Sequence, residues 1–152
     1  MKQIDIAIII IISCIVLDQL TKILAKLKLK NKRSIHVFKN YYYFTYVENS
    51  GMAMGKNDGK YYLFFAITII SLFVYSVFTK EIDFLHNTWF SIGLSILIGG
   101  TFGNLIDRVL RGYVIDFITG EIFHKHLPVY NLADFFIFIG SLLAVIFAII
   151  EF

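Results

Sequence analysis

The chain alternates long apolar runs with shorter polar stretches, and four of these runs are long enough to cross a membrane. An α-helix rises about 1.5 Å per residue, so about 20 apolar residues span a hydrocarbon core of about 30 Å. The runs comprise approximately Ile4–Ala25, Tyr61–Thr79, Thr88–Ile106 and Pro128–Ile150. The pattern predicts an all-α membrane protein whose four transmembrane helices and their loops form a single domain, residues 1–152.

The first polar stretch has a different pattern from the apolar runs. Residues from about 34 to 58 are rich in Tyr, Val, Ile and Thr, with turn-forming Asn, Asp and Gly between them. Such a composition is typical of strands and turns rather than helix. We therefore expect a small β-rich extramembrane loop or sheet between the first and second helices, with its aromatic side chains at headgroup depth.

Composition supports a membrane location for most of the chain. Hydrophobic residues make up 58% of the sequence and aromatic residues 17%, and the mean hydropathy is +0.74. A soluble domain is nearer half apolar, so these values favour an integral membrane protein. The single cysteine, Cys14, lies inside the first run, and one thiol cannot form an internal disulfide.

A cleaved signal peptide is an alternative interpretation of the first run. A processed amino terminus turns polar after its cleavage site. Here the apolar residues continue past Cys14 through Ile15, Val16 and Leu17. The pattern therefore favours a retained transmembrane helix.

The distribution of positive charge predicts an orientation. With four spans, both termini and the connection Lys80–Asn87 share one side of the membrane, and the two longer loops share the other. Nearly all Lys and Arg lie in or beside the longer loops, including the basic run "KLKLKNKR" at Lys26–Arg33. The positive-inside rule would place those loops in the cytoplasm. The basic run also favours contact with anionic lipid headgroups over nucleic acid.

Two groups of polar residues share helix faces inside the apolar runs. Asp18 and Lys22 are one turn apart in the first run, and the simplest interpretation is an interfacial pair with Lys22 reaching toward headgroups. The third run ends in a polar stripe, for which an ordinary helix exit with a local ion pair is the simple alternative; its members are Asn104, Asp107, Arg108 and Arg111. Three nearby glycines would let helices approach closely: Gly99, Gly100 and Gly103.

Two acidic residues in apolar surroundings are the sharpest chemical feature. Asp134 precedes "FFIFIG", and Asp116 lies within "YVIDFI". An N-cap role accounts for Asn131 but not for Asp134. Two carboxyl groups brought close together do not both ionise readily, so one keeps a proton and supplies an acid beside a base.

The acid pair is compatible with three classes of protein. A base and an acid can hydrolyse an amide with neither a metal nor a covalent intermediate. Membrane-embedded acids can also carry protons or cations through a transporter, or serve only as polar contacts between helices. Zinc is not favoured, because His124 and His126 lack a third grouped ligand. We expect no metal and no cofactor. From the residues alone the hydrolase and the transporter stay open.

Four sequence blocks occur in order along the chain: "DQLTK" from Asp18, "VENSGMAMG" from Val47, "GGTFGNLIDRVLRGYVIDFI" from Gly99, and "YNLADFFIFIG" from Tyr130. Together they resemble the lipoprotein signal peptidase (signal peptidase II) family of aspartyl intramembrane proteases, over essentially the full length. The resemblance implies that Asp116 and Asp134 are the catalytic pair. It also implies supporting or substrate-binding roles for further residues: Asp18, Lys22, Asn49, Gly51, Ala53, Asn104, Arg108 and Asn131.

The family also implies a substrate, a location and an inhibitor class. The substrate would be a bacterial prolipoprotein whose cysteine carries a diacylglyceryl group, cut on the amino-terminal side of that cysteine, and globomycin-type compounds would inhibit. Membrane lipids are expected partners, nucleic acid is not, and a monomer is expected to suffice. Both termini would be cytoplasmic, with the site near the outer face of the plasma membrane. This placement conflicts with the charge distribution, and we favour the family placement.

Two features of the blocks carry separate expectations. Met52 and Met54 stand where the family commonly has a small residue and an aromatic residue. Because Met is flexible and fills irregular gaps, we expect altered packing there and retained catalysis. Asp107 also matches the third block, but its neighbour Arg108 favours a structural ion pair over chemistry.

Overall fold

The structure is a computed structural model that describes residues 3–32, 34–37, 41–50, 69, 76, 82–122 and 125–151. The second predicted span, Tyr61–Thr79, lies outside these ranges except for Ile69 and Ser76, which are helical. Several residues singled out in the sequence also lie outside: Gly51, Met52, Ala53, Met54 and His124. The four-span count therefore stays a prediction.

Three long helices form the membrane part of the described chain: α1 (Gln3–Leu29), α2 (Thr88–Arg111) and α3 (Leu132–Glu151). Each is long and apolar enough to cross a bilayer. They correspond to the first, third and fourth predicted spans, whose existence is confirmed.

The predicted helix ends were less accurate than the helices themselves. α1 continues to Leu29 rather than Ala25, and α2 continues to Arg111 rather than Ile106. Both extensions carry charged residues, so hydropathy alone ended the helices too early. α3 begins at Leu132 rather than at Pro128, because Tyr130 pairs with Ile118 of a strand before the helix can start.

The helices approach closely at glycine residues, as the sequence predicted. A side chain on Gly99 would meet Cys14 of α1, and one on Gly100 would meet the carbonyl oxygen of Ala133 in α3. Close approach at these positions lets α2 pack between the other two helices. α2 therefore holds the charged residues of its last turns against both neighbours.

The extramembrane part is an antiparallel sheet in the order β1-β2-β3-β4. Its strands are β1 (Ile35–Val37), β2 (Tyr42–Asn49), β3 (Val114–Ile122) and β4 (Lys125–His126). The first two confirm the β-rich loop predicted between helices one and two. The other two lie between the third and fourth predicted spans, where the sequence pattern predicted only one of the two longer loops, although the "VIDFI" stretch there is rich in strand-forming residues.

The turn from α2 into β3 positions the sheet above the helix ends. α2 is capped by Gly112, which follows Arg111, has φ of 77° and donates its N–H to the Arg108 carbonyl oxygen. Glycine adopts this left-handed conformation without strain. Along β3, Ile115 and Phe117 then pack on Ala25 and Leu29 of α1. Asp116, between them, points to the opposite face of the sheet, because side chains alternate along a strand.

Candidate active site

A cavity of about 530 Å³ lies where α2 ends, α3 begins and β2 meets β3. Its walls mix apolar side chains with a few polar ones. The polar and charged side chains among the lining residues include Asn49, Asn104, Arg108, Asp116 and Asp134. The two acids come from different elements, β3 and α3, and face the same space.

Asp116 is buried and held by two amide donors. Its side chain is 3% exposed. Asn131 Nδ2 donates to Oδ1 over 2.6 Å, and Asn49 Nδ2 donates to Oδ2 over 2.7 Å. Burial raises the pKa of Asp116 to about 6, with a further contribution from the nearby Asp134 charge, although both amides favour the ionised form. This carboxyl group therefore exchanges its proton much nearer neutrality than an ordinary aspartate.

Asp134 serves both the start of α3 and the cavity. Its Oδ2 accepts the Asn131 backbone N–H at 3.0 Å, and its own N–H donates to Asn131 Oδ1 at 3.1 Å. This reciprocal pair is a capping box, so helix capping accounts for Asp134 as well as Asn131, contrary to the sequence interpretation. The other oxygen, Oδ1, accepts from Asn104 Nδ2 at 2.8 Å.

Asn131 connects the two acids directly. Its side-chain amide donates to Asp116, and its main-chain N–H donates to Asp134. The same side-chain amide donates to Asn104 Oδ1 at 3.1 Å. Because Asn131 is fully buried, these contacts fix the relative position of β3 and α3 at the cavity.

Lys22 determines which way the Asn104 amide points. Lys22 Nζ donates to Asn104 Oδ1 at 3.0 Å, so this oxygen accepts from both Lys22 and Asn131. The Asn104 amide nitrogen is then directed to Asp134. A lysine of α1 thereby acts on an acid of α3 through one intervening side chain.

Lys22 belongs to a buried charged cluster, which contradicts the predicted position of Lys22 and the predicted partner of Asp107, although Asp107 does form a structural ion pair as expected. Lys22, Asp18 and Asp107 all have no exposed surface, and Lys22 Nζ lies 2.7 Å from Asp18 and 3.1 Å from Asp107. Lys22 therefore does not reach toward headgroups. Asp107 pairs with Lys22 and Arg111 rather than with Arg108.

The partner of Asp107 follows from helix geometry. Arg111 is four positions beyond Asp107 and on the same face, whereas the adjacent Arg108 points elsewhere. Arg108 lines the cavity and donates to the Asn104 carbonyl oxygen over 3.1 Å. The i+4 spacing was present in the sequence and identifies the correct partner.

Gln19 is a member of the cluster that the sequence analysis missed. Its amide nitrogen donates to Asp18, to the Gly103 carbonyl and to Asp107 over 3.0–3.2 Å. Asp18 also accepts the Ala133 backbone N–H at 2.9 Å. The cluster thus joins α1 to both α2 and α3. Two cations balance two anions, which limits the cost of burying the charges.

Apolar membrane-spanning helices with two carboxyl groups in one end cavity indicate a multi-pass membrane protein with a site suited to acid–base chemistry. Within the described ranges, no three His, Cys, Asp or Glu side chains group as metal ligands. The peptidase A8 model, signal peptidase (SPase) II, matches residues 10–150. The chain belongs to this protease family.

Curated relatives cover nearly the whole chain. The lipoprotein signal peptidase of Halothermothrix orenii is 37% identical over 139 residues, which cover 91% of this chain and 92% of the relative. That of Caldanaerobacter subterraneus subsp. tengcongensis is 39% identical over 139 residues, covering 90% and 91%. Both relatives are peptidases, so they give the transporter hypothesis no support.

Two solved structures share the fold. A bacterial membrane enzyme determined by the in meso method at 1.9 Å resolution superposes with a TM-score of 0.82 at 36% identity, covering 94% of this chain and 92% of that one. A second, at 2.3 Å resolution, has a TM-score of 0.77 at 34% identity and covers 96% and 88%. Both likenesses support the membrane enzyme assignment.

Proposed function

We propose that this enzyme removes the signal peptide from diacylglyceryl-modified bacterial prolipoproteins, cutting on the amino-terminal side of the lipidated cysteine, with Asp116 and Asp134 as its catalytic acids. Membership of the signal peptidase II family supports the reaction. The observation that carries the assignment of the acids is their joint position in one cavity, bridged by Asn131.

The surroundings of the two acids support different protonation states. Asp116 is the more deeply buried, and its pKa, raised to about 6, keeps it protonated to a higher pH than an ordinary aspartate. Asp134 accepts the backbone N–H of Asn131 in the first turn of α3, where the helix dipole stabilises an anion. Asp116 therefore acts as the general acid and Asp134 as the general base.

The reaction needs only these two groups and water. Asp134 takes a proton from water, whose oxygen attacks the carbonyl carbon of the scissile amide, while Asp116 gives its proton to the carbonyl oxygen. On collapse of the tetrahedral intermediate, the C–N bond breaks and Asp134 passes its proton to the leaving nitrogen. Asp116 recovers a proton as the carbonyl re-forms, so both acids return to their starting states.

The remaining family residues support this pair. Asn104 and Asn131 orient the carboxylates through their amides, and Arg108 lines the cavity where it can meet the substrate backbone. Asp18 and Lys22 hold the helices together beneath the site. Asn49 donates to Asp116 from β2. Gly51 and Ala53 belong to the same substrate loop by family resemblance, outside the described residues.

The position of the cavity suits a substrate held in the membrane. It opens at one end of the helices, beneath the sheet. The scissile bond can meet water at that depth while the acyl chains of the substrate stay in lipid. Globomycin-type inhibitors would occupy the same space, and a monomer holds the complete acid pair. We place the protein in the bacterial plasma membrane, with cytoplasmic termini and this cavity at the outer face.

Cleavage of a diacylglyceryl-modified prolipoprotein by the purified enzyme tests the proposal. Asp116→Asn and Asp134→Asn should each lower kcat by several orders of magnitude, because an amide supplies neither a titratable acid nor a base. Asn at position 134 can still accept the Asn131 N–H, so α3 should remain capped. Thermal unfolding in the same detergent checks that both variants are folded.

A matched control replaces an acid outside the cavity. Asp83→Asn alters an exposed helix-entry turn and should leave cleavage unchanged. Normal cleavage by either folded cavity variant would refute the proposed pair, and an inert wild-type enzyme would refute the proposed substrate.

A further inference from the structure

A second cavity, of about 230 Å³, lies between α1 and the face of the sheet opposite the acid pair. We call it the α1 groove. Its described lining residues are Thr21, Leu24, Ala25, Lys28, Leu29, Ile35, Phe44 and Phe117. None of them lines the first cavity. Asp116 and Phe117 are neighbours in β3 whose side chains enter different cavities, so the strand separates the two.

The α1 groove is apolar and open along one side. Ile35 is 52%, Leu24 50% and Phe44 38% exposed, although all three are large hydrophobic side chains. Exposure of so much apolar surface to water is unfavourable. Beside a membrane the same surface can contact an acyl chain.

One cation stands at the rim of the groove. Lys28 is exposed and, in the part of the chain that the structure describes, makes no ion pair or side-chain hydrogen bond. Lys30, two positions on, is instead bound to Glu48 at 2.8 Å. The positive charge of Lys28 is therefore available to a ligand.

The groove runs from acyl depth to headgroup depth. α1 has 27 residues and is about 40 Å long, which exceeds the hydrocarbon thickness of about 30 Å. Its last turns therefore reach the headgroup region. Thr21 and Lys28 are separated by about 10 Å along the helix axis, so the end of the groove at Thr21 and Leu24 lies deeper than Lys28.

We propose that the α1 groove binds an anionic glycerophospholipid of the membrane. One acyl chain lies between α1 and the sheet, against Leu24, Phe44 and Phe117, and the phosphate contacts Lys28. Charge complementarity selects this occupant, because a diacylglyceryl group on a substrate cysteine carries no phosphate. The bound lipid would attach to the membrane the face of the sheet opposite the acid pair.

Photocrosslinking of the full chain tests the proposal. The protein is placed in nanodiscs containing either phosphatidylglycerol or phosphatidylcholine with a photoreactive acyl chain, and labelled residues are mapped by mass spectrometry. We expect groove residues such as Phe44 to be labelled more by the anionic lipid. Lys28→Gln should reduce that labelling about fivefold, the usual effect of one lysine at an anionic surface.

Lys26→Gln is the matched control, since Lys26 is exposed in the same part of α1 but does not line the groove. It should leave groove labelling close to that of the wild type. Equal labelling by both lipids, an equal loss in both variants, or label confined to other surfaces would overturn the proposal. Stronger groove labelling by a photoreactive diacylglyceryl lipopeptide than by phosphatidylglycerol would assign the groove to the substrate and would also overturn it.

Discussion

At the scale of single residues, Asp116 and Asp134 differ in their surroundings and in the groups that donate hydrogen bonds to them. Asp116 and Asp134 each accept two hydrogen bonds, yet one sits within a strand and the other in the first turn of a helix. Burial dominates at Asp116 and raises its pKa to about 6. The raised pKa of Asp116 is consistent with its proposed role as the acid of the pair.

The pH dependence of cleavage follows from this assignment. The general acid must be protonated, so kcat/KM, which reports the free enzyme, should fall as pH rises through about 6. Asn49→Ala should shift this fall to higher pH, because the Asn49 hydrogen bond favours ionised Asp116. Cleavage assays at constant ionic strength would measure both midpoints.

Tyr46→Phe is the control for the pH experiment. Tyr46 lies on the same strand as Asn49, but its hydroxyl binds Glu48 rather than the acid pair. The pH midpoint of kcat/KM for Tyr46→Phe should equal that of the wild-type enzyme. A wild-type kcat/KM that rises through pH 6 would instead make ionised Asp116 the base.

The buried lysine gives a second prediction at this scale. Lys22→Met would leave two buried carboxylates, Asp18 and Asp107, with Arg111 as the only other cation of the cluster. We expect a loss of about 3–5 kcal/mol in the free energy of unfolding. Adding Asp18→Asn makes the net charge of the cluster zero again. The double variant should therefore lose less free energy of unfolding than the two single variants lose together.

Unfolding by denaturant in detergent measures this coupling. Lys26→Met, which removes an exposed lysine from the same helix, should change stability little. Strictly additive losses in the double variant would contradict the ion-pair account of the cluster.

At the scale of elements, helix contacts place the acids. α2 approaches α3 at Gly100, whose replacement by alanine would put Cβ 2.6 Å from the Ala133 carbonyl oxygen and 2.9 Å from Phe136 Cβ. A backbone oxygen cannot rotate away as a side chain can. The start of α3, including Asp134, therefore depends on the absence of a side chain at position 100.

Gly100→Ala should accordingly reduce stability and activity together. Overpacking of this kind costs about 1–3 kcal/mol, and the displaced Asp134 should lower kcat as well. Thermal unfolding and cleavage are measured on the same preparation. Val109→Ala, at a 63% exposed position of α2, serves as control, and unchanged cleavage by folded Gly100→Ala would show that this contact does not position Asp134.

The sequence predicted some elements and missed others for identifiable physical reasons. Apolar runs indicate α1, α2 and α3 because lipid demands a continuous apolar surface. Apolar runs do not show that a helix extends into a charged segment, as α1 does beyond Ala25. Strand β3 was taken for a loop because its pairing with β2, at positions such as Asp116 and Val47, joins distant parts of the chain.

The residues of the candidate site were easier to predict from the sequence than the contacts that hold the surrounding helices together. The family blocks contain the five polar or charged residues singled out at the cavity, which are Asn49, Asn104, Arg108, Asp116 and Asp134. The i+4 rule also identifies Arg111 as the partner of Asp107. The contacts of Gln19 with α2 could not be predicted, because they depend on how two helices rotate against each other.

At the scale of the whole molecule, the relative directions of the three helices constrain the membrane topology. α1 and α2 run parallel, since Cys14 lies near Gly99 and Lys22 near Asp107. α3 runs opposite to α2, because Ala133 lies near Gly100 and Ala144 near Gly93. The end of α1 and the start of α2 therefore lie at opposite ends of the described helices, an arrangement that the predicted further span would account for.

Thiol labelling tests the proposed orientation. In a Cys14→Ser background, a membrane-impermeant reagent should label Ser34→Cys in intact cells with a permeable outer layer, because Ser34 precedes β1 on the cavity side. His86→Cys lies before α2, at the opposite end, and should react only after the plasma membrane is opened. The reverse pattern would place the cavity in the cytoplasm and agree with the positive-inside count.

The capping box at the start of α3 has a consequence for synthesis of the protein. Asp134 enters the cavity only when α3 has begun, and Asn131 joins it to Asp116 in the same step. A ribosome makes α3 last of the described elements. A nascent chain that lacks α3 therefore holds no complete acid pair, and by the proposed mechanism it cannot yet cleave a substrate.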